Sequence, residues 1–315
     1  IPGMLKSPLG QITAIASRDD ARAAEAAKTF GFPKHYGSYE ALLADPEIDA
    51  IYNPLPNHLH VPWSIKALEA GKHVLCEKPI AMNAAEAETL IAARDKSGKQ
   101  VLEAFMVRQH PQWIRVREII RSGEIGPVRL VQTTLAYFNE DPNNIRNIAE
   151  VGGGALYDIG CYAVVLSRYA FAAEPIRAVA LIDRDPVMKT DRLTGGVLDF
   201  GEGRQLSFAC ATQLVPFQTT QILGTRGRIE VPISLNAPQG EATRIFVDKK
   251  GPLDPSGFRT EEIVPSDQYT LQAETAARIF LGQEKPEFPI EDAIKNMRVI
   301  DAIYRSGTSG AWETV

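Results

Sequence analysis

The first hundred residues repeat one arrangement: a short apolar run, a polar turn, then helix formers closed by glycine. "GQITAIAS" (residues 10–17) is almost continuously apolar, the pattern of a strand buried on both faces. Asp19 stands where a helix N-cap belongs, ahead of "ARAAEAAKTF", and Gly31 stops that helix. Ser38 caps the short helix "YEALL", and "IDAIYN" (residues 48–53) is the next strand. A helix over residues 60–70 closed by Gly71, the strand "HVLC" (His73–Cys76), a helix opened by Asn83 with Glu86 at capping-box spacing, and a strand over residues 100–106 continue the rhythm. Strands alternating with helices in this way predict a parallel, doubly wound sheet with right-handed crossovers.

After about residue 108 the rhythm changes. A helix over Pro111–Arg121, in which Trp113 is expected in the core, leads to a long alternating strand over residues 127–138. A helix over residues 155–171 comes next. Six strand patterns then run without helices between them, from "IRAVALID" to "TRIFVD", separated by turns such as "FGEGR" and "GTRGR". They predict a large open antiparallel sheet, with two closing helices near residues 268–281 and 289–306. Two domains are expected, residues 1–108 and 109–315, and 315 residues are enough for both. The residues facing inward on "RQLSFACAT" are either Leu206, Phe208, Cys210 and Thr212 or their alternates Ser207, Ala209 and Ala211; the pattern does not choose.

The formal charge of −5 carries no basic run, which argues against nucleic acid as the main partner. No apolar stretch reaches membrane-spanning length. Cys76, Cys161 and Cys210 lie far apart, without metal spacing, and three cannot all pair. They point to a reduced, cytoplasmic setting and to no catalytic metal. The chain opens on Ile1, so an export segment ahead of it would escape notice.

A doubly wound nucleotide domain opens with a strand, a glycine-rich turn and a helix whose N-terminus holds the pyrophosphate. No such glycine motif follows a strand here, and "SPLGQITAIAS" reads as the second strand of such a domain, so a first βα unit is expected upstream. Arg18, with Ser17, stands just after that strand, where NAD-specific folds place an acid; an arginine accommodates a 2′-phosphate instead. Asp19 next to it leaves dual use of NADP and NAD open. "VLCEKPIAMN" (residues 74–83) puts Glu77, Lys78 and Pro79 at the end of an apolar strand. Either this is a solvated turn, or it is a lysine at the carboxyl edge of the sheet, where open α/β folds bind ligands. Asp158 and Tyr162 are i and i+4 on one helix face.

The ordered set "AIASRD", "YGSYEALL", "IDAIYNPLPNHLH", "AGKHVLCEKPIAMN" and "GGGALYDIGCY" resembles the Gfo/Idh/MocA family, over nearly the whole chain. The resemblance implies an NAD(P)-dependent oxidoreductase of sugars, polyols or cyclic diols, here preferring NADP. It places Lys78 beside the nicotinamide and the reacting carbon, where a cation polarises a developing alkoxide; a cis Lys78–Pro79 bond would aim it, with Glu77 alongside. Tyr162 is the implied proton relay, its pKa lowered by Lys78. Asp158 binds a substrate hydroxyl or holds Lys78. The loop with Pro54, Leu55, Asn57 and His58 passes under the cofactor, Arg108 borders the nicotinamide pocket, and Arg146 reaches a sugar hydroxyl. Pairing through the large sheet, as a homodimer or a dimer of dimers, is implied too. Two departures stand out: the glycine motif is absent, and Ala163 stands five residues after the aspartate of the glycine block, where many members carry histidine. A non-catalytic binding or regulatory protein on the same fold is the alternative.

Overall fold

The computed structural model describes residues 1–249 and 258–315. Its first part alternates β1 (Ala14–Ala16), α1 (Asp20–Phe30), β2 (Lys34–Tyr36), α2 (Tyr39–Ala44), β3 (Ala50–Asn53), α3 (His60–Glu69), β4 (His73–Cys76), α4 (Ala84–Ser97) and β5 (Val101–Glu103). All strand pairs here are parallel. The expected caps form. Asp19 accepts the Arg22 N–H at 3.2 Å, Ser38 that of Ala41 and Asn83 that of Glu86, while the Glu86 carboxylate returns to the Met82 N–H at 2.8 Å. The sheet stands in two pieces, β1–β2 and β3–β4–β5. Between them lies a cleft of about 750 Å3, lined by apolar side chains such as Ile12, Ile51, Leu75 and Phe280. Three strands, β1, β3 and β5, are shorter than the sequence predicts. β1 has a partner on one edge only, and beyond Glu103 the chain turns into a 3-10 helix at Met106–Gln109.

The second part contains α5 (Pro111–Arg121), β6 (Val128–Phe138), a π-helical turn at Leu156–Gly160, and α6 (Cys161–Phe171). Strands β7 (Arg177–Arg184), β8 (Asp191–Asp199), β9 (Gln205–Ala211), β10 (Gln213–Gly224), β11 (Arg228–Val231), β12 (Thr243–Asp248) and β13 (Arg259–Ile263) follow. Helices α7 (Gln268–Phe280) and α8 (Ile290–Ser309) and strand β14 (Glu313–Thr314) end the chain. The nine strands form one sheet in the order β13-β12-β11-β10-β6-β9-β8-β7-β14. It is mixed rather than purely antiparallel, because β6 and β9 run parallel. The cause is the α6 connection. A helical crossover returns the chain in its starting direction, so β7 runs with β6, and two antiparallel steps bring β9 into the same sense.

The parity left open by the sequence is resolved. Leu206, Phe208 and Cys210 are buried against the helices; a Cβ on Gly160 would come within 2.7 Å of Cys210 Sγ. On the other face, the row Leu181, Gly195, Ala209, Thr134 and Thr219 crosses five strands, and Leu181 is 81% exposed. Trp113 is fully buried, as the helical pattern predicts. Among the described residues no helix is long and apolar enough to cross a membrane, and no three His, Cys, Asp or Glu side chains are grouped to hold a metal.

Candidate active site

The carboxyl ends of β3 and β4 meet the loop before α6 in a cleft of about 250 Å3, lined by Pro54, Leu55, Asn57, His60, Glu77 and Lys78 on one side and by Arg146, Gly152 and Asp158 on the other. Lys78 follows β4 at once. Its ammonium donates to the Asp158 backbone carbonyl and to Asp158 Oδ1 at 3.3 Å. The two side chains are only 13% and 15% exposed. Burial opposes the charge on each, but each partner outweighs it: Lys78 lies above the ordinary lysine value, and Asp158, with Arg146 helping, lies below the ordinary carboxylate value. The pair is therefore ionised at neutral pH.

Three side chains fix the turn around Lys78. Tyr52 on β3 donates to Glu77 Oε1 at 2.6 Å. The buried His60 ring lies 2.7 Å from both the Pro79 and the Leu55 carbonyl oxygens. Glu103, at the end of β5, accepts the Ile80 N–H at 2.8 Å. The Lys78–Pro79 peptide bond is cis.

Asp158 is held from its own side. Oδ2 accepts the Tyr137 hydroxyl at 2.6 Å and Arg146 Nε at 3.0 Å. The π-helical turn that carries it is anchored by the buried Asp191, which accepts the Leu156 N–H at 2.7 Å, the Thr194 hydroxyl at 3.0 Å and the Tyr304 hydroxyl at 3.1 Å. The glycine block allows this approach. Gly154 has φ +127°, and a Cβ there would lie 2.0 Å from Asp191 Oδ1. Gly152, at φ +89°, leaves no room between Met82 and Asn57, and its carbonyl accepts Asn57 Nδ2 at 2.8 Å.

Other residues singled out in the sequence are placed as follows. The Tyr162 ring lies 5.1 Å from Lys78 Nζ, but its hydroxyl points to Met106 Sδ at 3.1 Å and the side chain is buried. Burial drives its pKa well above the usual tyrosine value. The expectation that Lys78 lowers it is thereby corrected: desolvation of the phenolate dominates. Arg108 is not brought to the cleft. It is 8% exposed, bonds Asp292 at 2.6 Å and stacks 3.9 Å from the Phe288 ring centroid. His58 does not line the cleft; His60, two residues on, does. Ser17 and Arg18 stand at the carboxyl end of β1. Ser17 Oγ accepts the Asp19 N–H at 3.2 Å, and Arg18 is exposed. Tyr137, Asp191, His60 and Glu103 escaped the sequence reading.

The donor set fits a nicotinamide dinucleotide. Parallel strand ends and a lysine ammonium at the cleft are features that a nicotinamide dinucleotide and a polar reacting group require. Nothing described supplies a glycine-rich phosphate turn.

Comparison with known proteins agrees. Residues 1–105 match the model of the oxidoreductase family with an NAD-binding Rossmann fold, and residues 113–230 match the GFO/IDH/MocA C-terminal domain. An uncharacterized oxidoreductase of Rhizobium meliloti is 47% identical, over 100% of this chain and 94% of its own length. D-xylose 1-dehydrogenase (NADP(+)) 2 of Haloferax volcanii is 36% identical, over 96% of this chain and 91% of its own. A 3-ketoreductase from Actinomadura kijaniata, solved in complex with NADP and TDP-benzene, superposes with a TM-score of 0.90 at 28% identity, covering 97% of this chain and 92% of that one. The chain belongs to the GFO/IDH/MocA family of NAD(P)-dependent oxidoreductases, which act on alcohol and carbonyl groups.

Proposed function

We propose that this protein is an NADP-preferring oxidoreductase of a sugar, polyol or cyclic diol, with Lys78 as the cation at the reacting oxygen. The observation that carries the proposal is the buried Lys78–Asp158 pair in the cleft at the strand ends. The bound nicotinamide supplies or takes the hydride. Lys78 donates a hydrogen bond to the substrate oxygen and stabilises the negative charge that develops there. Asp158 keeps the ammonium charged and aimed, and Tyr137 and Arg146 keep Asp158 in place. We assign the proton transfer to Tyr162. Its hydroxyl rests on a thioether, a weak acceptor, on a buried side chain outside the lining of the cleft, so this role requires the Tyr162 ring to shift toward Lys78. In reduction it gives that oxygen a proton as carbon gains the hydride; in oxidation it takes the proton back. Arg146, 46% exposed at its side chain, offers its outer nitrogens to a substrate hydroxyl. Pro54, Leu55 and Asn57 form the wall under the cofactor.

The NADP preference rests on Arg18. Among the described residues it has no hydrogen-bond or ion-pair partner, while Asp19 is engaged as the cap of α1. A carboxylate busy with backbone amides is poorly placed for a ribose hydroxyl, and a free guanidinium suits a phosphate. The test is a screen of aldoses, anhydrosugars, inositols and dihydrodiols, following reduced cofactor by absorbance, with wild type and Arg18→Asp. NADP-linked turnover of a polyhydroxylated substrate is expected, with Arg18→Asp weakening NADP far more than NAD. Equal loss for both cofactors would remove Arg18 from phosphate recognition.

Assembly follows from the uncovered sheet face. Its central row, Gly195, Ala209, Thr134 and Thr219, is small-sided, and Val215 and Phe217 stand 77% and 53% exposed on β10. A two-fold pairing of like faces buries such a surface and leaves the cleft free. Light scattering is expected to give at least twice the chain mass of 34.5 kDa. A fully active monomer would contradict the pairing.

A further inference from the structure

Glu103 closes β5 in register with Cys76, the last residue of β4 before Glu77 and Lys78. Its Oε1 accepts the Ile80 N–H at 2.8 Å, and its Oε2 is shut off from solvent with no hydrogen-bond partner among the described residues. One amide needs only a neutral acceptor. A buried carboxyl is a costlier choice, and its surroundings show what it responds to. Arg108 and Arg168, both bonded to Asp292 at 2.6 and 2.7 Å, face it from the 3-10 helix after β5 and from α6. Asp292 faces it from α8, and the buried thiols of Cys76 and Cys161 lie on β4 and α6. Burial pushes the carboxyl up to about 7, against the pull of Arg108. Glu103 therefore changes charge near neutral pH while it holds the backbone two residues after Lys78. An ionised carboxylate is a stronger acceptor than the neutral acid, so this hold tightens as pH rises.

We propose that Glu103 is a positioning residue for Lys78: it clamps the Ile80 amide and fixes the exit of the turn that aims the lysine at Asp158. The proposal rests on Lys78 being the reacting cation, but one arm of its test does not. Wild type, Glu103→Gln and Glu103→Ala are compared by amide hydrogen exchange at Ile80 and by kcat across neutral pH. A hydrogen bond to an ionised group corresponds to about a tenfold effect or more. Glu103→Ala is expected to speed Ile80 exchange and lower kcat by about that factor, with cofactor affinity unchanged. Glu103→Gln keeps an acceptor, so it is expected to keep Ile80 protected and kcat within about threefold of wild type; wild-type kcat is expected to rise through pH of about 7, and the Gln variant to lack that rise. Unchanged Ile80 exchange in Glu103→Ala overturns the clamp. Lost protection with undiminished kcat overturns the positioning role, as does a Gln variant no better than Ala. If wild type turned over no sugar, polyol or diol, the functional assignment would fail while Ile80 exchange still reported on the clamp.

Discussion

The two walls of the cleft are built by different physics. The Lys78 wall stands on strands three or four residues long, with a turn fixed by Tyr52, His60 and Glu103 from neighbouring elements. The Asp158 wall stands on a π-helical turn fixed by Asp191, 33 positions away and bonded in turn to Tyr304, and by Tyr137 across the loop. One wall depends on backbone clamps within a local motif. The other depends on a glycine block that lets distant side chains approach. The difference teaches where each wall is fragile: the first in the aim of one side chain, the second in the volume that one Cβ would fill.

Gly154→Ala is the harshest way to break the second wall. The new Cβ meets Asp191 Oδ1 at 2.0 Å on a backbone with φ +127°, a clash and a strain together. A loss of about 3 kcal/mol or more of folding stability is expected, with no activity left in what remains folded. Urea unfolding checks it; a variant within about 0.5 kcal/mol of wild type would show that the two walls are equally tolerant.

Asp158→Asn sharpens the comparison, since it changes the charge between the walls without changing shape. Asp158 raises the Lys78 pKa against burial. Without that carboxylate, burial acts alone and the lysine loses its proton at lower pH. The alkaline limb of the pH–rate profile is therefore expected to move to lower pH, and turnover near neutrality to fall about 10- to 100-fold. The sign is fixed by the protonated form being the active one. An alkaline limb that stayed in place would mean that another group titrates there.

Much of the first wall was legible in the sequence. The β/α rhythm, the caps at Asp19, Ser38 and Asn83, and a lysine at the end of an apolar strand all lie within short windows. The i, i+4 spacing also put Asp158 and Tyr162 on neighbouring turns. What escaped depends on partners far along the chain. Tyr137 is one residue of an alternating strand, and a shift of one position exchanges the faces, so nothing local marks it as the partner of Asp158. Asp191 lies just ahead of the strand pattern "GGVLDF", and nothing local marks it before the fold brings Leu156 and Tyr304 to it. Glu103 reads as a residue within the strand over residues 100–106 and His60 as the first residue of a helix, because what they bond is backbone, which leaves no trace in side-chain pattern. The direction of the Tyr162 shift depended on burial, which outweighs the nearby ammonium. Arg108 follows β5 where a cofactor contact was expected, yet Asp292, 184 positions on, draws it into the interior.

The central claim is that Lys78 acts on the reacting oxygen and does not merely hold the cofactor. Its most direct test is Lys78→Ala, with kcat measured beside the affinity for NADPH by fluorescence titration. An interaction made mainly in the transition state lowers turnover and spares ground-state binding. The expected result is a kcat reduced about 10²- to 10³-fold, as for loss of one oxyanion donor, with NADPH affinity within about threefold of wild type. A variant that keeps wild-type turnover, or that loses cofactor affinity in step with turnover, would contradict the account.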